Sequence, residues 1–217
     1  MAVKEVAFVG GVFTYNAIPL TDAERKKLDA QLDNLFGFDD ATIKDAIRKY
    51  YNQIVAFVEV MKNELSNPAF GGVTAADTQL GISLIAPQHL QLNGSARTNW
   101  SVSYNADWVT FASGTMDEDA GILIIGLLSY SADPKLDAIK MQIGQKVFLP
   151  QVVSPIKVKD NRNQVAIWPL PATPITPKQT YTIELHSDEW DATNPPTDEI
   201  ALLGVTVGLG RFLNSAI

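Results

Sequence analysis

Between Pro19 and Pro68 the apolar positions recur with a helical period. Thr21-Asp22-Ala23-Glu24 has the spacing of a capping box, in which the Thr hydroxyl accepts from one orphan amide and the Glu carboxylate from another. A helix is therefore predicted to start here. Leu28, Leu32, Leu35 and Phe36 form its apolar stripe, and Gly37 tolerates the left-handed conformation that ends it. Asp39, Asp40 and Thr42 offer the next N-cap. Ile43, Ile47, Tyr50, Ile54, Val58, Met61 and Leu65 then follow at steps of three or four. The spacing predicts one long amphipathic helix over Thr42 to Ser66, roughly 37 Å at about 1.5 Å per residue. Its apolar stripe is expected to pack on its own domain, with a coiled-coil contact to another subunit as the alternative.

After Gly71 the pattern changes to short apolar runs separated by Pro, Gly and Asn clusters, the signature of an all-β sandwich or barrel. Predicted strands are Gln79 to Ala86, Trp100 to Tyr104, Trp108 to Ala112, Gly121 to Tyr130, Ala138 to Ile143, Val147 to Leu149, Val152 to Lys159, Gln164 to Trp168, Thr180 to His186 and Glu199 to Val207. A strand-like arm, Val6 to Tyr15, precedes the helices. Thr180 to His186 alternates, with Tyr181, Ile183 and Leu185 on a face to be buried and Thr182, Glu184 and His186 on a wet one. Ile122 to Leu128 and Ile200 to Val207 have no polar face, so both of their faces need cover. The long helix is expected to cover one, and a neighbouring subunit another. Alternation places Trp108 and Trp168 opposite their aliphatic neighbours, where each serves an interface, stacks on a sugar ring, or is covered by its own chain.

Composition sharpens the division. Charged residues number 18 in the first 70 positions and 23 in the remaining 147, and the second part holds ten of the twelve prolines and all four tryptophans. This divides the chain into an arm and helical segment, 1–70, and a β-sandwich domain, 71–217. Overall only 19% of the residues are charged and the net charge is -7, which argues against a basic grip on nucleic acid or anionic lipid. With no Cys there is no disulfide, thiolate or Cys-ligated metal. No signal peptide or spanning helix is expected.

Candidate chemistry is sparse. Glu184-x-His186-x-Asp188 would share one strand face and has the residue types of a metal site or acid/base pair, but the solvated face of a strand explains it as well. Asp117-Glu118-Asp119 lacks the ligand alternation of a calcium loop and reads as an acidic turn. Gly208-Leu209-Gly210 lacks the third glycine of a dinucleotide site. Lys157, Lys159 and Arg162 read as a solvated face. No catalytic, metal or cofactor-binding residue is assigned, no cofactor is expected, and the chain is not read as an enzyme.

The expected fold is mainly β, a jelly-roll-like antiparallel sandwich with an N-terminal two-helix segment; an immunoglobulin-like sandwich and an irregular α+β fold are the alternatives. An assembly subunit accounts for the low charge, the doubly apolar strands and the apolar tail Gly210 to Ile217. Trp108, Trp168, Phe212, Leu213 and Ile217 are its expected assembly or ligand surface. A carbohydrate-binding module is the alternative, and a metal-dependent enzyme is less favoured. From about residue 75 onward, Tyr181-Thr-Ile-Glu-Leu, the loop Asp191-Ala-Thr-Asn-Pro-Pro-Thr and the run from Glu199 to Arg211 resemble the jelly-roll capsid or capsid-decorating proteins of icosahedral viruses. The resemblance implies a virion shell protein, assembled in the host cytoplasm as trimers or larger homo-oligomers, with other virion proteins as further partners. Such proteins share no diagnostic motif, so the resemblance assigns no site residue. The acidic charge departs from those that hold the genome through basic arms, and favours an outer or membrane-facing shell with no direct nucleic-acid contact.

Overall fold

The computed structural model of the protein describes residues 2–8, 11–34, 41–72, 75–131, 133–152 and 166–215. In chain order the elements are β1 (Ala2–Phe8), β2 (Gly11–Ala17), α1 (Asp22–Asn34), α2 (Ala41–Lys49), α3 (Tyr51–Glu64), β3 (Leu80–Leu84), β4 (Gln91–Leu92), β5 (Ser95–Ala96), β6 (Ser101–Ser103), β7 (Trp108–Thr115), β8 (Ala120–Ser129), β9 (Ala138–Ile143), β10 (Lys146–Val152), β11 (Ala166–Ile175), β12 (Thr180–His186), β13 (Thr197–Leu209) and α4 (Gly210–Ser215). The protein is mainly β. The expected arm is the hairpin β1–β2, which lies against α3.

Eight of these strands, β3 and β7 to β13, build two four-stranded antiparallel layers, β11-β8-β13-β3 and β10-β9-β12-β7, with the short β6 also pairing β13. Their pairing is nested: β3 with β13, β7 with β12, β8 with β11 and β9 with β10. The first strand thus meets the eighth, the second the seventh, the third the sixth and the fourth the fifth. One long hairpin is rolled up, and β13·β8 and β12·β9 close the roll. This is a jelly roll, which satisfies sheet edges by wrapping the chain around itself.

The two apolar strands explain the layering. Ile122, Ile124 and Leu127 of β8, with Ile200 and Leu202 of β13, face the second sheet and pack with Phe111, Ile139, Met141, Ile183 and Leu185. The other face of the same strands carries Leu123, Ile125, Leu128, Leu203, Val205 and Val207, which pack with Leu28 and Leu32 of α1 and Ile54, Phe57, Val58 and Met61 of α3. Every residue of β8 is buried. The chain's own second sheet and own helices therefore cover both faces, and the expectation that a neighbouring subunit must cover one is corrected. The alternation slips between Ile125 and Leu127, where the register of β8 shifts against both of its neighbours. At this bulge Gly204 approaches so closely that a Cβ would lie 2.0 Å from the Leu123 carbonyl oxygen, a position only glycine can occupy.

The expected long helix is two helices, α2 and α3, broken at Tyr50. Tyr50 has φ -102° and ψ 12°, and adjacent tyrosines are weak helix formers. Their hydroxyls are drawn to different elements: Tyr50 donates to the Leu170 carbonyl at 2.7 Å and Tyr51 to Asp29 at 2.5 Å. The capping box forms as expected, and Glu24 does more than cap. Its carboxylate accepts from the Thr21 amide (2.9 Å), from the Phe70 amide (3.0 Å) and from Lys62 Nζ (2.7 and 2.8 Å). It thereby ties α1 to the end of α3 and to the approach to β3. Burial alone would raise this carboxyl, but the Lys62 ammonium and the two amides outweigh it and hold the group down to about 2.

Strand extents depart furthest from expectation at β10 and β11. β10 runs unbroken from Lys146 to Val152, while residues 153–165, with Lys157, Lys159 and Arg162, lie outside the described residues. β11 continues to Ile175 through Pro169, Pro171 and Pro174, residues that an edge strand tolerates better than a central one.

Candidate functional site at one end of the second sheet

The outer face of the second sheet carries no covering layer among the described residues, and its register assembles the polar side chains. His186 lies opposite Trp108 on one side and Ala138 on the other, and Glu184 opposite Thr110 and Lys140. Tyr181, Ile183 and Leu185 are buried as the alternation requires, so Glu184 and His186 point outward. Lys140 Nζ sits 2.5 Å from the Glu184 carboxylate and 4.9 Å from the Trp108 ring centroid. The His186 ring lies 5.0 Å from the same indole. Trp108 is half-buried, held between a cation and an imidazole.

β12 ends at His186, so Asp188 lies in the following turn rather than on the strand face with Glu184, correcting the shared-face expectation. Beside His186 this end of the sheet gathers carboxylates from three connections. Asp107 Oδ1, just before β7, is 2.7 Å from His186 Nε2. Asp137 Oδ2, just before β9, is 3.9 Å from Nδ1, and Asp188 Oδ1 is 3.7 Å from Nε2. Backbone bonds hold the group: the Asp137 amide donates to the His186 carbonyl at 2.9 Å, and the Asp188 amide donates to the Asp137 carboxylate at 2.5 Å. Close by, the buried Asp198 accepts from the Tyr104 hydroxyl (3.2 Å) and the Lys135 amide (2.8 Å). Burial, with Asp198 and Asp137 adding to it, pushes the Tyr104 hydroxyl well above the ordinary tyrosine range.

The other expected site residues do not join this face. Trp168 belongs to β11 of the opposite sheet, paired with Leu127, and its side chain lies outside what is described. Phe212 and Leu213 sit on α4. Leu213 is buried and Phe212 packs on the sandwich core, 5.6 Å from the His89 ring. Arg211 pins this helix by a two-point bond to Asp119 at 2.5 Å. Leu213 is therefore a core residue, and the expectation that this side chain is offered to partners is corrected by its burial in the chain's own core. Ile217 lies outside the described residues. Asp107, Asp137 and Lys140 had no signal in the sequence, because only sheet pairing brings them to His186. A concavity of about 520 Å³ lies away from this face, between α1 and α2, and is lined by Leu32, Ile47 and Tyr51 together with Asp29, Lys44 and Arg48.

Fold and site together define a jelly-roll sandwich with a helical layer on one sheet and a carboxylate-rich imidazole at one end of the other. No family model matches the chain, and no curated protein matches it. Among solved structures it is similar to the infectious bursal disease virus VP2 subviral particle and to the structure of the infectious bursal disease virus Gx strain. Each shows 12% identity and a TM-score of 0.29 over 62% of this chain. The chain spans about a third of the length of those chains, 34%. Likeness at this level carries no argument, and the jelly roll rests on the strand pairing alone. Among the described residues no helix is long and apolar enough to cross a membrane.

Proposed function

We propose that the chain is a structural subunit of a self-assembling protein shell of the virion type, forming homo-oligomers of three or more copies. The observation that carries the reading is the nested pairing of eight strands into two four-stranded sheets, an architecture that virion shell proteins share with lectins. The step from architecture to role is one of analogy. The apolar strands lend it no support, because the chain covers them itself. Association then uses outer surface, where Trp190, Tyr130 and Val147 are the large exposed apolar side chains among the described residues. The net charge of -7 favours contacts between shell proteins over direct contact with a genome.

Light scattering and negative-stain microscopy of the purified chain test the reading. Trimers, larger rings or closed particles at micromolar concentration are expected. A clean monomer at 100-fold higher concentration would overturn it.

Trp108 favours a second reading, a glycan-binding sandwich, because its indole lies half-buried on the uncovered face beside Glu184, Lys140 and His186. A glycan array probed with the native chain and with Trp108→Ala separates the two. Binding lost in the variant, from a protein that stays monomeric, selects the second reading.

A further inference from the structure

His186 donates one ring nitrogen and leaves the other facing a carboxylate. The 2.7 Å contact from Nε2 to Asp107 is a charge-assisted hydrogen bond that places the imidazole proton on Nε2. Nδ1 then carries a lone pair, and what it faces is the Asp137 carboxylate at 3.9 Å, too far for a hydrogen bond. Two electron-pair donors thus look at each other across a gap. Two ligands of a four-coordinate ion with bonds near 2.0 to 2.1 Å stand about 3.4 Å apart, so the gap is nearly that of a ligand pair. Asp188 completes a group of three, in which one ligand atom from each of Asp137, His186 and Asp188 lies within 4.8 Å of the others; its Oδ1 lies 3.7 Å from Nε2, so it must swing across the ring to join Asp137 at Nδ1. The Asp188 side chain is 84% exposed, so no packed neighbour opposes that movement. The nearby cations are engaged elsewhere, Lys140 with Glu184 and Lys135 with Asp133 and Glu189.

We propose that His186 Nδ1, Asp137 and Asp188 bind a zinc ion, with water as the fourth ligand and Asp107 as the outer carboxylate that fixes the histidine tautomer. Neutral imidazole with two carboxylates is a zinc donor set, whereas calcium and magnesium take oxygen shells. A carboxylate on the far nitrogen is the usual support of a metal-bound histidine. Backbone hydrogen bonds on Asp137 and Asp188 hold the loops before ion entry. Bound zinc would clamp the connections before β9 and after β12 to each other. The inference is independent of the shell reading.

Calorimetric titration of the metal-free full chain with zinc chloride tests it, with cobalt absorption spectra as a second measurement. One equivalent of zinc with a dissociation constant in the micromolar range or below is expected. His186→Ala and Asp188→Asn should each weaken it at least 10-fold, with circular dichroism unchanged. Asp107→Ala, which removes a positioning residue, should weaken it about 10-fold or more. Glu118→Gln, at an exposed acid away from the site, should leave it unaltered. No saturable uptake by the native chain up to 1 mM zinc would overturn the proposal whether or not the variants fold. Uptake unchanged in His186→Ala, or calcium bound more tightly than zinc, would overturn it as well.

Discussion

Acidification from pH 7.5 to about 4 is expected to destabilise the fold through one buried imidazole. His89 ends a single 3-10 turn, Pro87–His89, and its Nδ1 accepts from the Ala86 amide at 3.0 Å and lies 2.8 Å from the Thr206 hydroxyl on β13. A backbone N–H can only donate, so Nδ1 must be unprotonated for this contact to exist. The ring is buried against Phe212, and burial lowers its pKa from 6.5 to about 4. Between those two values the unfolded chain holds a proton that the folded one refuses, so stability falls as pH falls. The loss begins near 6.5 and is complete below about 4. The gap corresponds to about 3 kcal/mol, or about 6 to 12 °C in melting temperature for a chain of this size.

Urea unfolding in EDTA, followed by tryptophan fluorescence at pH 7.5, 5.5 and 4.2, compares the native chain with His89→Asn, whose amide oxygen can replace Nδ1 as acceptor without taking up a proton. The native chain should lose its advantage over the variant by about 3 kcal/mol across this range. A difference between the two proteins that stays constant from pH 7.5 to 4.2 would show that protonation of His89 is not what the fold resists.

Three further variants probe the helical layer and the tail. Lys62→Met leaves the Glu24 carboxylate enclosed without its ammonium, and should cost about 3 kcal/mol or more in chemical denaturation at pH 7; a loss near the ~0.5 kcal/mol of an exposed pair would refute the hub. In the native chain the low Glu24 pKa adds stability that is present above about 4.5 and lost as pH falls towards 2, and the variant should lack much of this dependence. Leu213→Ala should cost about 2 kcal/mol or more of folding stability, and removal of residues 212–217 should lower the melting temperature whatever the oligomeric state. An unchanged melting temperature with altered particle size would return α4 to the role of an assembly tail.

Local signals are legible in the sequence because their physics is local. The capping box at Thr21 needs only four residues, the alternation of Thr180 to His186 only seven, and both form as the spacing implies. Tyr50 defeated the helix reading because its apolar ring kept the stripe's period while its hydroxyl sought Leu170, 120 residues away. The candidate site was legible only in part for the same reason. His186 and Asp188 are neighbours in sequence, but Asp107 and Asp137 reach them through the pairing of β12 with β7 and β9, which no local period encodes.

The doubly apolar strands carry the larger lesson. Both faces of β8 and β13 do need cover: every residue of β8, and every residue of β13 from Ile200 to Gly208, is buried. What covers them was not contained in those strands. The answer lay in the helix stripe fifty residues and more upstream, where Ile54, Phe57, Val58 and Met61 supply the face that Leu123, Val205 and Val207 require. Hydrophobic demand is non-directional: a strand specifies that it must be buried but not by whom. Once the chain meets that demand itself, the argument for a partner must move outward to the rim of the molecule. There the large exposed apolar side chains among the described residues are Trp190, Tyr130 and Val147. On the proposed shell reading, association therefore follows folding rather than completing it, and copies that separate at low concentration should keep their cores intact.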